Sequence, residues 1–181
     1  MTGQVLHQNF VFGGLYGVHL VEENGAGPSG YCMGFGVDQC TNALQIDDVG
    51  AEGLDMINSQ LVTVNGTIGR YVEVGTTFEK TFRMFGTSCW GTNERSIVVN
   101  NGRLELYQCH IARNAESAAY DLRNTSSLRA IGGNQTDRVT TFLMIQPTAQ
   151  AEFVGNIINT STSQMPVNAS NITSLGNVKV Q

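Results

Sequence analysis

Along the chain, short runs with apolar residues two positions apart alternate with clusters of Gly, Asn, Ser and Thr, whereas apolar residues almost never recur at i, i+3, i+4 and i+7. A period of two places side chains alternately on the two faces of a strand, and the helical period of about 3.6 is nearly absent. The pattern predicts an all-β chain.

The runs form two interleaved series. The first reads Gly17–Leu20, Ala43–Ile46, Tyr71–Val74, Ser96–Val99, Ala119–Leu122 and Thr141–Met144, with steps of 26, 28, 25, 23 and 22 residues. The second begins at Met33, Leu54, Phe82, Leu104, Leu128 and Ala151, each followed two positions on by Phe35, Met56, Met84, Leu106, Ala130 and Phe153. Three positions after that come Asp38, Ser59, Thr87, Cys109, Gly133 and Asn156, and two further on Cys40, Leu61, Cys89, Ile111 and Ile158 turn apolar again, with Gln135 the exception. One strand of each kind per period of about 24 residues, with no helix between, predicts a β-solenoid of about six coils. A β-sandwich also alternates, but its strands need not share a register as these do. The 181 residues read as a single domain, with regular coils over 15–160 and a polar loop and terminal strand over 161–181. Glu22–Gly30, rich in Gly, reads as a long turn projecting from one edge.

Composition narrows the function classes. Only 14% of residues are charged, the formal net charge is -5, and Lys and Arg are scattered, so no positive stripe is offered to nucleic acid. No apolar stretch reaches the roughly 20 residues of a membrane span, and the first residues lack a basic segment followed by an apolar one. Cys32, Cys40, Cys89 and Cys109 show no metal-ligand spacing, and no metal or other cofactor is expected. Three of them fall at inward strand positions and read as buried thiols. The six Asn-x-Ser/Thr triplets, at Asn65, Asn124, Asn134, Asn159, Asn168 and Asn171, follow from a turn-rich composition.

Three runs, Gly53–Ser59, Leu104–Ile111 and Phe153–Ile158, resemble the right-handed parallel β-helix of the pectate-lyase-like superfamily, which includes polysaccharide lyases and hydrolases and phage tailspikes. The resemblance covers about 15–160 and lies at the level of the coil. Of the polygalacturonase motifs only a pair of aspartates, Asp47-Asp48, has a counterpart. The family implies an extracellular polysaccharide as partner, a location outside the cell or on a virion or cell surface, and side-by-side association as a homotrimer. The pattern starts within the first residues, where Gln4–Phe10 already resembles a second-series strand, so the chain reads as a piece of a longer β-helix.

Alternation in the second series predicts an outward column of Gly34, Asp55, Arg83, Glu105, Arg129 and Glu152. Carboxylates two coils apart would stand about 9.6 Å from one another, at the upper limit of the about 6.5–9.5 Å that separates the two carboxyl groups of an inverting glycosidase. Asp55 and Glu105 are therefore the candidate acid/base pair of a glycoside hydrolase, which is favoured over a lyase. Arg83 and Arg129 are candidates for holding the substrate, with Glu152 beside them. Trp90 and Tyr107 are candidate sugar-stacking platforms, and His110 a general base without an evident partner. The competing expectation is a surface salt-bridge ladder in a non-catalytic structural or adhesive solenoid, such as part of a trimeric tailspike. The outward column of the first series, His19, Gln45, Glu73, Val98, Asp121 and Leu143, leaves Val98 and Leu143 exposed and hints at a covered face.

Overall fold

A computed structural model describes residues 4–64, 68–112, 115–137, 141–159 and 169–180, with no side-chain account of 115–117. It is a parallel β-solenoid of about six turns, without helix among the described residues. Its strands line three faces. Face A stacks β1 (Gln4–His7), β3 (Gly30–Met33), β5 (Leu54–Ile57), β8 (Thr81–Phe85), β11 (Arg103–Tyr107), β14 (Ser127–Ile131), β17 (Gln150–Val154) and β19 (Ile172–Leu175). The second sheet bends into faces B and C, joined by the long strands β2 (Phe10–Leu20) and β4 (Gly36–Ile46), which run through both. Face B continues through β6 (Gln60–Thr63), β9 (Ser88–Gly91), β12 (His110–Ala112), β15 (Gln135–Asp137), β18 (Ile157–Asn159) and β20 (Val178–Val180). Face C continues through β7 (Arg70–Val74), β10 (Asn93–Val99), β13 (Ala115–Leu122) and β16 (Leu143–Ile145).

The corner from face A to face B explains why the strands are in step. It consists of two residues, and the first has a left-handed backbone in every turn: Gln8, Gly34, Asn58, Gly86, Gln108, Gly155 and Gly176, with the pair Gly132-Gly133 in the one longer corner. Gly and Asn tolerate that conformation best. The second corner residue is Ser59, Thr87, Cys109, Asn134, Asn156 or Asn177 in successive turns. Asn134 Nδ2 donates to Asn156 Oδ1 at 2.8 Å, and Asn156 Nδ2 to Asn177 Oδ1 at 3.0 Å. The same amides donate to the carbonyls of Leu106, Ile131, Ala130 and Phe153, so the bend keeps its backbone acceptors paired in the dry interior.

The core is a set of inward ladders. Leu54, Phe82, Leu104, Leu128 and Ala151 lie in register on face A, as do Met56, Met84, Leu106, Ala130 and Phe153. Face C contributes Leu44, Val72, Ile97 and Tyr120, and all these side chains are buried in one cluster. All four cysteines are buried free thiols.

Several register expectations change. Face A pairs Cys32, not Met33, with Met56, so the outward neighbour of Asp55 is Tyr31 rather than Gly34. Val37, not Cys40, occupies the face B ladder with Leu61 and Cys89. The exception at Gln135 disappears: the extra glycine in the Gly132-Gly133 corner moves the strand on by one residue, and Thr136 stands inward beside Ile111 and Ile158. The last strand of face C slips likewise, so Met144 rather than Leu143 follows Asp121. Val98 is outward yet 0% exposed. It lies between Glu73 and Asp121, which draw in Arg70, Arg95 and Arg123, and the stems of such side chains cover apolar surface.

Residues 21–29 form the expected irregular edge, clipped by reciprocal backbone bonds between Glu23 and Ala26. At the C-terminal end, β19 begins at Ile172 within the segment read as a loop, and residues 160–168 lie outside the described part. The strand expected after that loop is a two-faced turn, β19 and β20.

Candidate functional site

Face A carries the charged column in register as Val5, Tyr31, Asp55, Arg83, Glu105, Arg129, Glu152 and Thr173. Its members pair two by two. Arg83 Nε donates to Asp55 Oδ1 at 2.7 Å and Arg129 Nε to Glu152 Oε2 at 2.7 Å. Glu105, between them, is nearly buried and accepts a hydrogen bond from the Tyr107 hydroxyl at 2.9 Å. Burial and that carboxylate push the Tyr107 hydroxyl above its ordinary pKa, while hydrogen bonding and charge from Glu152 raise Arg129.

Two further outward columns flank this ladder. On one side Ile57, Phe85, Tyr107, Ile131 and Val154 form an apolar stripe, in which the Phe85 and Tyr107 rings stack at 4.9 Å and 9°. Tyr107 is therefore part of a ring pair rather than a lone platform. On the other side stand Thr81, Arg103, Ser127 and Gln150. Between that column and the charged one lies a cleft of about 450 Å³ lined by Arg103, Arg129, Glu152 and Thr173 among others. A second concavity, bordered by Lys80, Asn101 and Thr125, shares Arg103 and Ser127 with it and extends the depression across the strands. Arg103, which sequence reasoning missed, has a side chain 52% exposed and touches Glu105 only at 3.7 Å. The available signal was its place two residues before Glu105, on the same side of the strand.

Trp90 and His110 stand elsewhere, on face B beyond the corner. His110 has a partner after all: its Nε2 lies 2.7 Å from Asp137 Oδ2, and Gln135 Nε2 donates to the same carboxylate at 2.9 and 3.1 Å. His110 is in register with Gln135, and Trp90, Ala112 and Asp137 are in register with one another. A like constellation occurs on face C, where His19 is in register with Gln45, His19 Nε2 lies 2.6 Å from Asp47 Oδ2, and Gln45 donates to Asp47 at 2.8 Å. There the Tyr16 ring rests against the imidazole at 4.8 Å.

Asp48, the neighbour of Asp47, is held by Lys80 at 2.8 Å. Burial alone would raise the Asp48 carboxyl; hydrogen bonds from Lys80, Glu22 and the Val49 amide outweigh it and leave it below the ordinary range. The hydrogen bond shared with Asp48 raises Glu22. Asp47 and Asp48 thus serve different partners. Among the described residues, no group of three or more His, Cys, Asp or Glu side chains is gathered as a metal site would require. No protein-family model matches the chain, and neither a curated protein nor a solved structure gives a match.

Proposed function

We propose that the chain is a polysaccharide-binding β-solenoid of the pectate-lyase-like kind, working outside the cell, with the glycan lying along face A across successive strands. The observation that carries this reading is the half-exposed Arg103 opening onto a cleft whose other wall holds Arg129 and Glu152. Guanidinium groups bind carboxylate, sulfate and hydroxyl oxygens through paired N–H donors. The apolar stripe with its stacked Phe85 and Tyr107 rings supplies a surface for the C–H faces of sugar rings. Because the columns sit on paired strands, the spacing of their Cα atoms is fixed before the ligand arrives.

The same geometry favours binding over cleavage. Asp55 accepts from Arg83 and Glu105 from Tyr107, and neither carboxylate lines the cleft. The test is retention of the folded chain on a panel of neutral and acidic polysaccharides, with reducing-end release and absorbance near about 235 nm followed in parallel. Retention that falls at least tenfold in Arg103→Ala/Arg129→Ala, without product, supports the proposal. Reducing ends would establish a hydrolase, ultraviolet-absorbing products a lyase, and a folded chain retained on none of the glycans would leave a structural or adhesive solenoid.

A further inference from the structure

Face B presents a different chemistry from face A. Its outward positions between β6 and β18 are Gln60, Ser88, His110, Gln135 and Ile157 in one column and Val62, Trp90, Ala112, Asp137 and Asn159 in the next. Among these described residues there is no lysine or arginine. Trp90 is 43% exposed although it belongs to a strand in the middle of the sheet. Two pairing steps along, about 9.6 Å away by strand spacing, stands Asp137, and among the described residues only the methyl group of Ala112 lies between them. The small residue leaves a notch with an indole on one side and a carboxylate on the other.

The polar side of the notch is built rather than incidental. His110 and Gln135 both hold the Asp137 carboxylate, whose side chain is 16% exposed, while the imidazole itself stays 42% exposed. A carboxylate accepts up to about four hydrogen bonds, and among the described residues His110 and Gln135 make three contacts with Asp137. An exposed aromatic ring facing a fixed acceptor matches a ligand with one apolar and one hydroxylated side, which is the amphipathy of a pyranose. Like charge at the Asp137 carboxylate opposes a carboxylated sugar in the same place.

We propose that Trp90, Ala112 and Asp137, with His110 and Gln135 orienting the carboxylate, form a neutral-pyranose subsite on face B, separate from the face A cleft. The sugar ring stands on Ala112, stacks on the Trp90 indole and donates hydroxyl protons to Asp137.

Trp90 is the sole tryptophan of the chain, so tryptophan emission, excited beyond the tyrosine band, reports on this notch alone. The experiment titrates the whole chain with the methyl glycosides of glucose, galactose, mannose and glucuronic acid. At least one neutral glycoside is expected to shift the emission saturably, with a dissociation constant on the order of 1 mM, as befits a ligand of that size; the glucuronide is not. Ala112→Leu, which fills the notch, abolishes the response. Asp137→Asn, which keeps the shape, weakens it about tenfold. Arg103→Ala/Arg129→Ala leaves it unchanged, which separates this site from face A. A flat emission with all three neutral glycosides, a response that survives both face B substitutions, or a dimer by sedimentation in which Trp90 resists acrylamide quenching would overturn the proposal.

Discussion

Arg83 Nε and Asp55 Oδ1, 28 residues apart in sequence, lie 2.7 Å apart because β8 and β5 pair in parallel with Asp55 opposite Arg83. Arg129 and Glu152 repeat the relationship across β14 and β17. Both arginine side chains are 42% exposed, so solvent screens these pairs. Arg83→Gln is expected to cost no more than about 1 kcal/mol in urea unfolding, and less at high salt. A larger loss would show that the pair organises the strands around it.

The asparagines of the A-to-B corner carry more weight. Asn156 is buried, accepts from Asn134 and donates to Ala130 O and Asn177 Oδ1. Asn156→Ala removes a hydrogen bond from groups on three turns, while Asn134 Nδ2 keeps the Leu106 and Ile131 carbonyls and Asn177 Oδ1 keeps the Asn156 backbone amide, and it is expected to destabilise by about 1–3 kcal/mol. Asn156→Asp places a carboxylate against the Ala130 carbonyl and is expected to be worse. Urea midpoints of the two variants check the order.

Burial raises the pKa of all four thiols; Cys109 is pushed up to about 11, with hydrogen bonds to the Thr87 and Tyr107 backbone opposing the shift. Native thiols should therefore resist alkylation at pH values where the unfolded chain reacts at all four. In the unfolded chain a thiol ionises from the ordinary value of 9.0, whereas folded Cys109 holds its proton to about 11. The unfolded state thus binds fewer protons in that window. The contribution from Cys109 is complete below about pH 9 and is lost as pH rises toward 11. Urea midpoints measured across that range should fall.

Val98 tests the face C packing. It is fully buried between Glu73 and Asp121, although it belongs to the outward column. Val98→Asp adds a third carboxylate to that row and is expected to cost at least about 3 kcal/mol. Val98→Thr, which keeps the branched shape, costs less. Thermal midpoints distinguish the two.

Much of this fold was legible because the inward ladders repeat at a nearly constant step and apolar side chains have one place to go. Leu104 and Leu106, with Phe82, Met84, Leu128 and Ala130, could be aligned from spacing alone. Registers failed where a corner changed length. Gly132-Gly133 displaced Gln135 by one residue, and the first turn was read from Met33 instead of Cys32 because both lie ahead of the same glycine corner. The His110–Asp137 contact was missed for a related reason: its carboxylate stands two residues beyond the register partner Gln135, in a strand belonging to neither series. Val98 went astray because alternation tells which way a side chain points and says nothing of what neighbouring arginines cover. The charged column was readable residue by residue, but pairing of Glu105 with Tyr107, two residues away in the same strand, depends on side-chain conformation.

Glycan binding at the Arg103 and Arg129 cleft is read by electrophoresis of the folded chain through gels containing acidic or neutral polysaccharides, with Arg103→Ala/Arg129→Ala alongside. At least one polysaccharide is expected to retard the wild-type chain, and the double variant is expected to migrate there as in a plain gel. Equal retardation of the two proteins in every gel, each measured against its own mobility in a plain gel, would overturn glycan binding by this cleft.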